Sequence, residues 1–118
     1  MKSSTRTKHT CPCILVHCID FRFQGTIDKL IRSLGYNPGD FDRVSVAGGA
    51  GNFEILKHHA PLSKRLHDPE MIILTVHEDC GAGAKKEDLM TAKKIVSETI
   101  PHARCFFLKL DGSWEEML

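Results

Sequence analysis

Cys13 to Ile19 reads CILVHCI. A run this apolar suits a strand covered on both faces, as the inner strands of a parallel sheet are. From Gly25 the period changes. Ile27, Leu30, Ile31 and Leu34 fall at i, i+3, i+4 and i+7 and form one apolar helical face, with Gly35 as its C-terminal stop. Asn37-Pro38-Gly39-Asp40 is turn chemistry. Arg43 to Ala47 then alternates as a second strand, and Gly48-Gly49-Ala50-Gly51-Asn52 makes a tight loop. Asn52 caps a short helix carrying Phe53 and Leu56, and Pro61 opens another short helix through Leu66. Met71 to Val76 (MIILTV) is a third strand, and Leu89, Ala92, Val96 and Ile100 mark a helix closed by Pro101. Arg104 to Leu110 (RCFFLKL) is a fourth strand, after which Asp111-Gly112 turns into a short tail.

Strands alternating with helices predict an α/β fold: a central, mainly parallel four-stranded sheet of order 2-1-3-4, flanked by helices. In such sheets ligands bind at the carboxyl ends of the strands on either side of the reversal in order. Here those are strands 1 and 3, ending at Cys18 and His77.

The 118 residues are enough for one core, so the reading is a flexible arm over residues 1–10 and a single domain over 11–118. Sixteen Lys plus Arg face fifteen Asp plus Glu, without a basic stripe interleaved with aromatics, so nucleic acid is excluded as a partner. The longest apolar run is too short to cross a bilayer, and the polar, basic start does not resemble a secretory signal. A cytoplasmic protein is expected. Five cysteines, an odd number, then read as metal binding, catalysis or core packing rather than a disulfide framework.

Two motifs stand at the ends of strands 1 and 3: Cys18-Ile19-Asp20-Phe21-Arg22 and His77-Glu78-Asp79-Cys80-Gly81. Two thiolates and an imidazole suit zinc, and three protein ligands leave a fourth position for water or substrate. Zinc lowers the pKa of a bound water to about 7. Asp20 and Arg22 are two residues apart and point to one side of an extended backbone. The planar guanidinium fork can hold the carboxylate by two hydrogen bonds and keep it off the metal.

Cys-x-Asp-x-Arg followed by His-x-x-Cys-Gly resembles the signature of the β-class carbonic anhydrases. Ala50-Gly51-Asn52 resembles that family's turn after the second strand, and Gly81-Ala82 continues the last motif in the family manner. The likeness runs from about Ile14 to Leu110, in the right order. It implies one zinc per chain on Cys18, His77 and Cys80, with Asp20 and Arg22 as a catalytic dyad. It also implies reversible hydration of carbon dioxide to bicarbonate by zinc-bound hydroxide, in a homodimer or higher even homo-oligomer. Phe21 replaces the usual small residue, and Gly48-Gly49 replaces an Arg-Asn pair. Phe21, Phe23, Gly49, Ala50, Gly51 and Gly81 are expected to line the substrate cleft.

Two alternatives stand beside this reading. One is a zinc hydrolase of another small electrophile such as carbon disulfide or carbonyl sulfide, which Phe21 and Phe23 favour by making the cleft more apolar. The other is a non-catalytic zinc or small-ligand binding protein of the same fold. A cysteine-phosphatase loop is rejected, because Cys18 and Arg22 are too close and Asp20 would repel phosphate. Cys11-Pro12-Cys13 reads as structural where an arm enters a strand, with a redox or second metal pair as the sharper option. Cys105 reads as core. The Gly48 to Gly51 loop either cradles an anion or gives room beside the metal.

Overall fold

The computed structural model describes residues 9–118. The arm expected over residues 1–10 therefore lies, for its first eight residues, outside the described residues. Strand β1 is Cys13–His17, followed by a short 3-10 turn at Phe21–Phe23 and helix α1, Gln24–Ser33. Strand β2 (Phe41–Ser45), helix α2 (Phe53–His67), strand β3 (Met71–His77), helix α3 (Asp88–Val96), and strands β4 (His102–Leu108) and β5 (Trp114–Met117) complete the order. The sheet runs β2-β1-β3-β4-β5, with the first four strands parallel and β5 antiparallel to β4.

Helices cover both faces. Leu15, Phe23, Ile27, Leu30, Ile31, Ile73 and Phe106 form one apolar layer under α1. Ile14, Val16, Leu56, Ala60, Leu74, Leu89 and Val96 form the other under α2 and α3. The reversal in strand order requires this division. β1 steps one way to β2, later connections step the other way, and crossovers of one hand then place α1 opposite α2 and α3. Gly35 ends α1 as the sequence predicts: at φ +94° it lets its own N–H reach the Arg32 carbonyl, while Tyr36 N–H reaches that of Ile31.

Three expectations need correction. The two short helices around Pro61 are one continuous helix. Pro61 lies on the exposed side, where a helix curving around a core already has its longest hydrogen bonds, so the missing N–H interrupts one bond and not the helix. Strands β2 and β4 begin and end two residues earlier than alternation alone indicated. The tail after Asp111-Gly112 is a fifth strand. Its consecutive glutamates obscure the pattern, yet Glu116 takes a two-bond fork from Arg104 at 2.8 Å each, and Glu115 pairs with Lys86 at 2.9 Å.

β1 and β3 part company at their carboxyl ends. Their pairing stops at Val16 opposite Leu74, while β1 stays paired to β2 through His17 and β3 to β4 through His77. Thr75 Oγ1 donates to the Val16 carbonyl at 2.8 Å inside the gap. The crevice opens where the order reverses.

Candidate metal centre

The crevice gathers the two motifs. Cys18 follows the last residue of β1, His77 is the last residue of β3, and Cys80 lies on the loop after it. Their ligand-capable atoms all lie within 4.8 Å of one another, close enough for one ion with bonds of about 2.0–2.3 Å to draw them together. Cys18 and His77 are buried and Cys80 is half-buried.

The state of the His77 ring is fixed by its neighbours. Nδ1 lies 2.8 Å from the Glu78 carbonyl oxygen, which can only accept, so Nδ1 carries the proton. Nε2 then presents a lone pair, and it is buried without a hydrogen-bond partner. A buried ring nitrogen left bare is costly, and a cation at this point satisfies it. The Phe23 ring stacks on the imidazole at 4.1 Å between centroids and 24° between planes, setting its orientation. The Gly48 N–H donates to Cys18 Sγ at 3.3 Å and fixes the position of the sulfur. The donor set, the bare nitrogen and the amide on sulfur together fit zinc.

Asp20 stands beside this cluster, with Oδ2 3.8 Å from His77 Nε2. Arg22 grips it: Nε donates to Oδ1 at 3.1 Å, a terminal nitrogen to Oδ2 at 2.8 Å, and the Arg22 backbone N–H to Oδ1 at 2.9 Å. These bonds from Arg22 hold the Asp20 carboxyl down at about 2. The same guanidinium reaches the Asp79 carboxylate at 3.1 Å and the Asp79 carbonyl at 3.0 Å, tying the first motif to the second. Gln24 Nε2 donates to the carbonyls of Cys18 and Asp20 at 3.0 and 2.8 Å and fixes the loop between them.

Sequence reasoning passed over Gln24, Asp79 and Thr75. Asp79 lies inside a recognised motif, but its left-handed backbone at φ 57° and its bond to Arg22 have no sequence signal. Gln24 supports the site through backbone carbonyls, which no spacing rule exposes.

The residues expected to line a cleft take varied positions. Phe21 is 85% exposed, Gly81 is exposed, and Phe23 is buried behind His77. Ala50 is buried in the layer beneath α2 and α3. Gly51 borders a cavity of about 490 Å³ together with Gly48, Asn52, Lys57, Ala82 and Ala84. Gly49, at φ +54°, lies at the parting of β1 and β3, where a Cβ would be 2.7 Å from the Thr75 carbonyl oxygen and 3.0 Å from the Cys18 nitrogen.

Comparison with solved structures concerns the fold as a whole. Carbonic anhydrase from Streptococcus mutans superposes with a TM-score of 0.67 at 16% identity, over 98% of this chain and 88% of that one. The fold is that of the β-carbonic anhydrases. The apo form of a carbon disulfide hydrolase gives a TM-score of 0.66 at 16% identity, over 87% of this chain and 76% of that one. A tetrameric β-carbonic anhydrase from Sordaria macrospora gives 0.52 at 14% identity, over 92% of this chain and 81% of that one. No family model matches the chain. In sequence, an uncharacterized protein of Rickettsia bellii is 27% identical, covering 98% of this chain and 87% of its own length. One of Rickettsia conorii is 24% identical, over 95% and 75%.

Proposed function

We propose that this protein is a zinc enzyme that adds water to carbon dioxide, reversibly giving bicarbonate and a proton. The observation that carries the reading is the Asp20 carboxylate, locked by Arg22 and standing 3.8 Å from the bare nitrogen of His77. Cys18, His77 and Cys80 would hold one zinc per chain. When bound, the metal supplies a Lewis acid that makes water nucleophilic near neutral pH.

The chain's own residues do the rest. Asp20, ionised and pinned, accepts a hydrogen bond at Oδ2 from the attacking water and aims its lone pair into the cleft. Arg22 keeps that carboxylate from turning onto the cluster, and its second grip on Asp79 carries the constraint to the loop bearing Cys80. Phe23 shuts water out from behind His77. The proton released in each cycle leaves to solvent.

A second reading, hydrolysis of carbon disulfide or carbonyl sulfide, draws on the likeness to the carbon disulfide hydrolase and on the exposed Phe21 and Ile19 flanking Asp20. We further propose that residues 11–118 act as one domain and that the protein works as an even homo-oligomer in the cytoplasm. The likeness to a tetrameric enzyme and the exposed Ile19, Phe21 and Leu110 support the oligomer. Five unpaired cysteines suit a reducing compartment.

The test is stopped-flow hydration of carbon dioxide by zinc-loaded protein, with carbon disulfide and carbonyl sulfide assayed in parallel. Rapid hydration that disappears on chelation is expected. Bound zinc with turnover of a sulfur compound alone would replace the first reading by the second, and bound zinc without any turnover would leave a binding protein of this fold.

A further inference from the structure

The opposite edge of the sheet gathers a second set of metal-ligating side chains. Cys11 precedes β1, Asp42 is the second residue of β2, and His67 ends α2. Each is half-buried, and a sulfur, a ring nitrogen and a carboxylate oxygen lie within 4.8 Å of one another. We propose that Cys11, Asp42 and His67 form a second metal site that takes a thiophilic divalent cation of the zinc type.

Three features make this more than a chance meeting. Main chain holds the two ends of the cluster together, because the Cys11 N–H donates to the His67 carbonyl at 3.0 Å. The carboxylate is positioned from outside the cluster: Ser63 Oγ donates to Asp42 Oδ2 at 2.7 Å, the kind of supporting bond that orients a ligating carboxylate. Charge and softness also match. A thiolate, a carboxylate and a neutral imidazole bring two negative charges to a divalent ion, in a donor set typical of zinc. Room for a fourth ligand lies alongside, in a cavity of about 210 Å³ bordered by Asp42, His59, Ser63 and His67. As the ion enters, the sulfur–metal bond replaces the S–H bond and the thiol proton passes to solvent. His67 Nδ1 is within 2.9 Å of both Asp42 oxygens, a contact that an ion held by that nitrogen would displace.

Cobalt(II) is the probe, since its bond to a thiolate gives an intense charge-transfer band. In a Cys18→Ser/Cys80→Ser chain, which removes both thiolates of the other cluster, about one cobalt per chain should still bind with a thiolate band. Adding Cys11→Ser should abolish that band, and His67→Ala or Asp42→Asn should weaken binding by at least about tenfold. Should the double variant fail to fold, Cys11→Ser alone in the otherwise intact chain should lower total cobalt by about one equivalent. A folded Cys18→Ser/Cys80→Ser protein without a thiolate band would overturn the site, as would an intact chain whose cobalt content ignores Cys11→Ser. Each edge is counted separately, so failure here leaves the site at His77 standing.

Discussion

Both edges of the sheet bring histidine, cysteine and aspartate together, but the carboxylate stands differently toward the imidazole. At the carboxyl edge Arg22 takes up the Asp20 carboxylate with a two-bond fork, and His77 Nε2 is left bare. At the amino edge the Asp42 carboxylate lies directly on His67 Nδ1 at 2.8 Å. The difference teaches that a neighbouring arginine decides whether the carboxylate meets the ring. An arginine that occupies the acid keeps it off the ring; without one, the acid bonds the ring directly at Nδ1.

The largest effect expected from breaking this contrast is on metal content. In a Cys11→Ser background, Cys18→Ser, His77→Ala and Cys80→Ser should each strip most of the zinc, whereas Cys105→Ser, buried in the apolar layer, should not. Elemental analysis of the dialysed proteins is the check. Full occupancy after Cys80→Ser would remove the carboxyl-edge site altogether.

Removing the arginine should make the carboxyl edge behave like the amino edge. In an Arg22→Ala chain Asp20 is free to turn toward the cluster, so zinc should remain while activity falls at least about tenfold, about 1.4 kcal/mol on the barrier. Higher pH should restore part of it, because hydroxide then competes better with the carboxylate. Asp20→Asn should also keep zinc but gain little from high pH. An Arg22→Ala protein with full activity, or one as empty of zinc as Cys18→Ser, would make Arg22 a purely structural residue.

The smallest effect sharpens the same point by titration. Asp20 sits at about 2 in the folded chain against an ordinary 3.8, so what the pair contributes to stability is fully present above about pH 4 and is lost as pH falls through about 2. Following the Asp20 carboxyl carbon by NMR should show that low midpoint, and Arg22→Ala should return it toward the ordinary value. A midpoint near 4 in the unaltered chain would mean that the fork does not hold in solution.

Much of this was legible in the sequence because the decisive signals are local. CILVH and MIILTV suit covered strands, and their ends carry Cys18 and His77 to one crevice once the strand order is known, although Ile19 of the same run lies beyond β1 and is exposed. What escaped depends on partners distant in sequence. Strand β5 is written as Trp-Glu-Glu-Met and becomes a strand through Arg104 and Lys86. Helix α2 runs through Pro61 because Leu56, Ala60 and Ser63 are buried along one side of it. Cys11-Pro12-Cys13 read as structural, and for Cys13 that fits a place in the core, its thiol pushed up to about 12 by desolvation, while Cys11 lies within reach of Asp42 and His67.

Gly49 acts as a gauge block between β1 and β3. A Cβ added there would run into the Thr75 carbonyl, two residues before His77, and the Cys18 amide nitrogen. Any side chain there must push one strand end away from the other, and the spacing between Cys18 and His77 would widen with it. The calibre of the proposed site thus rests on the thickness of a bare backbone, and Gly49→Ala should change which ions it accepts.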